Sequence, residues 1–361
     1  MVESHLVITG LGMISPVGLN MSQTCASVRA GISRFQEYED YTCEPEELDW
    51  GDPEPLMGAR VPCPDREPEG TRITTLISEA LQDLIQNAKM TRETFAQASV
   101  GIALPSVNRT GAHDGLTKEQ FTNFFQNALK ANTGEPKLFT GGHTAFFEAL
   151  EEAILRLQKG QSKLCIIAGV DSYHDQRTLA WLDRIGRLKS NRNRDGFIPG
   201  EAAAAILVES RANAESRGAN ILAILRELGK GAEKNPIPSD RPSNGRELVQ
   251  AIQSAITGEK DPLEIEWVAC DLNGESYRAK EWGLGQVMLQ KNFRGLKHIW
   301  HPADSLGDVG AASGAVLVSL VARAFERGYA PAKRCLIFGA ADDGARAALL
   351  LQGEQTVPTN R

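Results

Sequence analysis

Apolar positions along the chain follow two rhythms. Short unbroken runs at 6–10 (Leu-Val-Ile-Thr-Gly), 99–104, 164–168 and 204–208 predict strands covered on both faces, which need no polar alternation. Between them, Ile73, Leu76, Ile77, Ala80, Leu81, Leu84 and Ile85 recur at three- and four-residue spacing and predict a helix over 72–88. Phe146, Phe147, Leu150, Ala153, Ile154 and Leu157 predict another over 144–159, closed by Gly160. The theme then repeats: a strand at 220–228, a helix at 246–257, a strand at 265–270, a helix at 311–326, and strands at 335–338 and 347–351. Two similar successions of strands and helices predict a layered α/β fold made by duplication. The expected division is an N-terminal half at 1–209, a C-terminal half at 210–353 and a tail at 354–361.

Composition narrows the class. With 361 residues, 42% hydrophobic and 24% charged, the chain is too apolar for wholesale disorder and too aperiodic for collagen or a coiled coil. No apolar run approaches the roughly 20 residues that span a bilayer, so no membrane role is expected. Met1 to His5 lead straight into a strand without a secretory signal. Cys25, Cys43, Cys63, Cys165, Cys270 and Cys335 lack zinc or redox spacing and read as reduced thiols in a cytoplasmic protein. A net charge of −7 argues against nucleic acid as a partner. That charge is uneven. Residues 37–69 hold twelve acidic residues, two basic ones and six prolines, and read as an acidic, proline-rich surface loop. Arg184, Arg187, Lys189, Arg192 and Arg194 read as a solvated basic loop.

The motifs add a family. Residues 7–18 (Val-Ile-Thr-Gly-Leu-Gly-Met-Ile-Ser-Pro-Val-Gly) resemble the N-terminus of β-ketoacyl synthases, condensing enzymes of the thiolase fold. Residues 165–172, 194–209 and 307–316 resemble, in order, that family's central strand, its Asp-Gly-Phe…Gly-Glu block and its Gly-His-Leu-x-Gly-Ala-Ala-Gly helix start. Each glycine alone would mark only a turn; their joint order over residues 5–351 is specific. The resemblance implies a five-layer αβαβα thiolase-like fold of two duplicated halves.

It also implies a cysteine nucleophile before a helix and two histidines that stabilise the carbonyl oxygen. Aligning the helix that follows places His143 at the cysteine position, within Thr140-Gly141-Gly142-His143-Thr144-Ala145. Asp271 takes the place of the first histidine, beside Cys270, in a loop reading Asp271-Leu272-Asn273-Gly274-Glu275. Asp308 takes the place of the second. The closing loop runs Phe338-Gly339-Ala340-Ala341-Asp342-Asp343-Gly344, with Ala340 for the gating aromatic and Gly344 for an asparagine. A carboxylate repels a developing oxyanion that imidazole would stabilise. Condensation should therefore be lost, and no cofactor is expected.

His143, Asp271 and Asp308 are then a degenerate triad, with Cys270, Asn273, Glu275, Phe338 and Asp343 as candidate pocket residues. A vestigial, hydrogen-bonded pocket is the favoured outcome. One imidazole with two carboxylates also suits a divalent metal or a new acid–base pair, and Asp271 with Glu275 would raise the His143 pKa. By resemblance the chain is expected to be a homodimer pairing strands around 136–141, and a pseudoenzyme acting as scaffold or adaptor. Some such relatives accompany type VI secretion effectors. The alternatives are an acyltransferase of altered chemistry or the chain-length-determining partner of an active ketosynthase. An acyl carrier protein is a further candidate partner, although carriers are acidic and the 37–69 segment would repel one.

Overall fold

A computed structural model describes residues 5–43, 54–63, 70–111, 119, 121, 134–191, 193–237, 239, 241–258 and 263–354. The first half contributes β1 (Leu6–Ile14), β4 (Ser99–Ala103), β5 (Lys137–Phe139), β6 (Leu164–Ser172) and β7 (Glu201–Ser210). The second contributes β8 (Ala223–Ala232), β9 (Trp267–Cys270), β10 (His298–Trp300), β11 (Arg334–Ala340) and β12 (Ala345–Gln352). These ten strands form one hydrogen-bonded sheet ordered β10-β9-β11-β12-β8-β1-β7-β6-β4-β5. Read outward from the centre, each half runs first strand, fifth, fourth, second, third. Polarity matches as well: β1–β7, β6–β7, β8–β12 and β11–β12 are antiparallel, whereas β4–β6, β4–β5, β9–β11 and β9–β10 are parallel. The duplication expected from periodicity is thus present in strand order. The halves meet along a short seam, where Leu6–Ile8 of β1 pair with Ala223–Leu225 of β8.

Among the described residues ten helices dress the sheet: α1 (Met21–Arg29), α2 (Gly70–Asn87), α3 (Arg92–Ala96), α4 (Ala145–Gln158), α5 (Gln176–Arg184), α6 (Arg211–Ser216), α7 (Arg246–Ile256), α8 (Ser276–Met288), α9 (Ala303–Leu306) and α10 (Ser313–Glu326). Strand alternation sorts them into layers. Cys165, Ile167, Ala204 and Ile206 of the first half and Trp267, Ala269, Ile337 and Leu349 of the second all face a central core shared with α4 and α10. The intervening residues Ile166, Ala168, Ala205 and Leu207 turn outward onto α2. Val268, Cys270, Leu336 and Phe338 turn outward onto α7 and α8. The two halves of the sheet therefore alternate with helices as helix, half-sheet, helix, half-sheet, helix. Burial of α10 is continuous from Ser313 to Val321, as a central helix requires. Its Gly314 lies where a Cβ would meet the Phe146 ring, so the two central helices touch through a missing side chain.

Two expectations need correction. The acidic segment is not simply a loop: β2 (Gln36–Cys43) and β3 (Glu54–Gly58) pair as a separate antiparallel ribbon, while residues 44–53 and 64–69 lie outside the described residues. Cys43 and Leu56, helped by Tyr38 and Tyr41, pack on Tyr173, Leu179 and Phe197, an apolar set diluted by the surrounding acids in sequence. Helix α8 also lies beyond the expected elements, since its apolar periodicity is weak. Of the predicted tail, residues 355–361 lie outside the described residues. No helix among the described residues is long and apolar enough to cross a membrane.

Candidate functional site

The site lies where the two halves' central helices begin. Gly142–Thr144 form a tight turn that leads into α4, and Gly142 has the left-handed φ of +60° that glycine tolerates best. This turn presents His143, which is 3% exposed. The equivalent turn of the second half, Gly310–Ala312, leads into α10 and is preceded by Asp308. Asp308 is fixed by its own backbone, donating to Ile198 O and accepting from Gly200 N at 2.8 Å each.

The His143 Nε2 lies 2.9 Å from Asp308 Oδ1. Asn273 Nδ2 donates to Asp308 Oδ2 at 2.6 Å and Gly310 N donates to Oδ1 at 2.8 Å, so the carboxylate is bonded from three sides. Burial would raise the Asp308 pKa, but the His143 cation, the imidazole bond, Arg278 and Asn273 override it and hold the carboxyl far below its ordinary range. Burial would lower the His143 pKa, and Arg278 works the same way, yet Asp308 dominates and raises it. The two form a buried histidine–carboxylate pair in which each partner favours the charged form of the other.

Around this pair runs an ion network. Arg187 grips Glu275 with Nε at 2.7 Å and Nη2 at 2.8 Å, and reaches Asp342 with Nη1 at 2.7 Å. Arg278 donates to Asp271 Oδ2 at 3.1 Å, Asp342 Oδ1 at 2.9 Å and the Ala340 carbonyl at 2.5 Å. The N–H of Ala340 donates to Asp271 Oδ2 at 2.8 Å. Arg109 closes the far side, bonded to Asp171 at 2.6 and 3.0 Å with its guanidinium 4.4 Å from the Tyr173 ring centre. The space left beside His143, lined also by Ser106, Arg109, Tyr173 and Asp343, is about 30 Å³. Among the described residues that space holds a water molecule or two and is too small for an acyl chain.

The structure thus brings His143 and Asp308 together and turns Asp271 aside, toward Arg278 and the Ala340 N–H. Among the described residues no group of three or more His, Cys, Asp or Glu side chains is placed to hold a metal ion. Asn273 and Glu275 bond to each other at 2.9 Å inside the network. Asp343 lines the cavity mouth. Cys270 and Phe338 do not line it. They are partners in register between β9 and β11, and strand alternation sends both side chains to the outer core under α8, where Phe338 packs 4.9 Å from Trp282. Cys270 is fully buried and burial pushes its thiol far above its ordinary pKa. Peptide mapping after thiol alkylation is expected to find Cys270 unmodified in native protein and modified after denaturation. Modification at native conditions would contradict this placement.

Arg187 needs correction too. Expected in a solvated basic loop, it is 8% exposed and carries two carboxylates from distant parts of the chain. Nor does Glu275 act on His143 as a free charge, since two arginines neutralise it. Sequence reasoning also passed over Arg278, Asp342, Arg109 and Asp171. The three-residue spacing of Glu275 and Arg278 at a helix start was the one local signal available.

Residues 140–214, which include His143 and β7, match the family model described as "Beta-ketoacyl synthase, N-terminal domain". The fold superposes on the structure titled "The ishigamide ketosynthase/chain length factor", with TM-score 0.77, 17% identity, and coverage of 97% of this chain and 99% of that one. The fold is ketosynthase-like, of the thiolase type. The complex of a type II polyketide acyl-carrier protein with its ketosynthase matches the ketosynthase-like chain similarly, at TM-score 0.77 and 16% identity over 97% of this chain and 100% of that one. In sequence, the chain is 26% identical over 151 residues to "Putative polyketide beta-ketoacyl synthase 1" of Streptomyces cyaneus, 37% of this chain and 35% of the relative. Matches to two further curated relatives span only 9% and 3% of their lengths.

Proposed function

We propose that this ketosynthase-like protein does not condense acyl thioesters and acts by binding other proteins. One observation carries the reading: the position expected to hold the nucleophile carries an imidazole that is buried and bonded to Asp308, inside an ion network that leaves about 30 Å³. Covalent catalysis needs a free nucleophile, an oxyanion site and room for the acyl group. Here the imidazole is tied to Asp308, which raises its pKa, acidic side chains stand where oxyanion donors would, and charge pairs fill the volume. His143, Asp271 and Asp308 are accordingly read as the replaced triad.

The partner is read from the sheet edge. Strand β5 is the outermost strand of the first half, and among the described residues no strand pairs with its outer edge. A second copy of the chain, or an active ketosynthase in the manner of a chain length factor, would pair along β5. The secretion-adaptor form of the role rests on sequence resemblance alone.

Incubation with an acyl-pantetheine thioester or an acylated carrier protein is expected to give no acyl adduct by intact mass and no product above background. The variant His143→Cys is expected to remain inactive, because the cavity stays closed. An adduct on His143, or turnover abolished by His143→Gln, would overturn the proposal.

A further inference from the structure

A second concavity lies away from the His143 site and shares no residue with it. It is formed by α1, the turn from β10 into α9, and α10, and its volume is about 370 Å³, within the range of small-molecule sites. Trp300 and Tyr329 form its walls, their rings 25° from parallel with centres 6.5 Å apart. Val28 and Leu320 add apolar surface, and Cys25 lies buried at its base. Burial pushes the Cys25 thiol up to about 12, so it is a packing group and no nucleophile at neutral pH.

Among the described residues that line it, the groove has one arginine, Arg29. The Arg29 guanidinium stacks 4.5 Å from the Tyr329 ring centre. No carboxylate among the described residues pairs with it, in contrast to Arg187, Arg278, Arg109 and Arg346, each of which is matched to an acid. The groove's own acid, Asp304, faces His301 Nδ1 at 2.9 Å. A ring-stacked guanidinium keeps its N–H fork free and oriented for bidentate recognition of a carboxylate. Aromatic walls with one unmatched, positioned guanidinium select a flat apolar body with an anionic end.

We propose that this groove binds a small aromatic carboxylate, with the ring against Trp300 and Tyr329 and the carboxylate on Arg29. The inference is independent of what the His143 site does. The test uses the full chain with 2-naphthoate and its uncharged analogue 2-naphthylmethanol, by calorimetry and by NMR of the tryptophan indoles. The expected result is saturable binding of naphthoate at least tenfold tighter than the alcohol, with a shift of the Trp300 indole signal. Arg29→Met should abolish that preference and Arg29→Lys should retain part of it. Arg29 is exposed, so both variants should fold, which circular dichroism would verify. Absence of saturable naphthoate binding, an unchanged preference in Arg29→Met, or binding that leaves the Trp300 signal unmoved would overturn the proposal.

Discussion

Replacement of Arg278 by methionine is expected to cost about 3–5 kcal/mol of folding stability, the range for removing one partner of a buried ion pair. Its side chain is 2% exposed and touches three carboxylates and a backbone carbonyl. Methionine keeps the length and apolar stem, so packing loss is small. What changes is charge: Asp271 loses its one cation, while Glu275 and Asp342 keep only Arg187. Arg278→Lys should fall between the two, since an ammonium cannot serve three acceptors with a planar fork. Urea denaturation at pH 7 measures this. A loss below about 1 kcal/mol for Arg278→Met would mean that the network contributes little, as exposed pairs do.

The second large effect concerns pH. Asp308→Asn keeps the shape of the side chain but removes the charge that sustains the His143 imidazolium. A loss of about 3 kcal/mol is expected at pH 5.5, from a charged buried bond and an imidazole left without a counterion. The sign with pH follows from linkage. His143 has a folded pKa above its unfolded value of about 6.5. Its contribution is therefore complete below about pH 6.5 and is lost as pH rises through the folded value. In Asp308→Asn, burial and Arg278 remain and both lower the His143 pKa, so the variant loses stability on acidification below about pH 6.5. The gap between wild type and variant should accordingly be larger at pH 5.5 than at pH 8.5. NMR titration of the His143 ring gives the direct reading, and a ring that titrates alike in both proteins would refute the pairing.

Much of the fold was legible because its strongest elements are apolar and long. The periodicity of Ile73 to Ile85 located α2 to within two residues at each end, and Phe146 to Leu157 located α4 to within one. The ribbon of β2 and β3 escaped because its tyrosines sit among acids. In the site, His143 and Asp308 were legible only through family order, since they stand 165 residues apart. Arg187 was misplaced for the same reason: Glu275 and Asp342 lie 88 and 155 residues away. Local charge patterns say that an arginine is present; only the tertiary fold says whether water or a carboxylate meets it.

The seam between the halves has a consequence for how the chain opens. Because α4 and α10 belong to opposite halves yet share one core, neither half can detach without exposing the apolar faces of both. Slow amide exchange should therefore report a single opening event, with β6, α4, β11 and α10 protected to the same degree. The His143–Asp308 bond, drawn from one turn in each half, stands at that junction as a clasp whose release coincides with global unfolding.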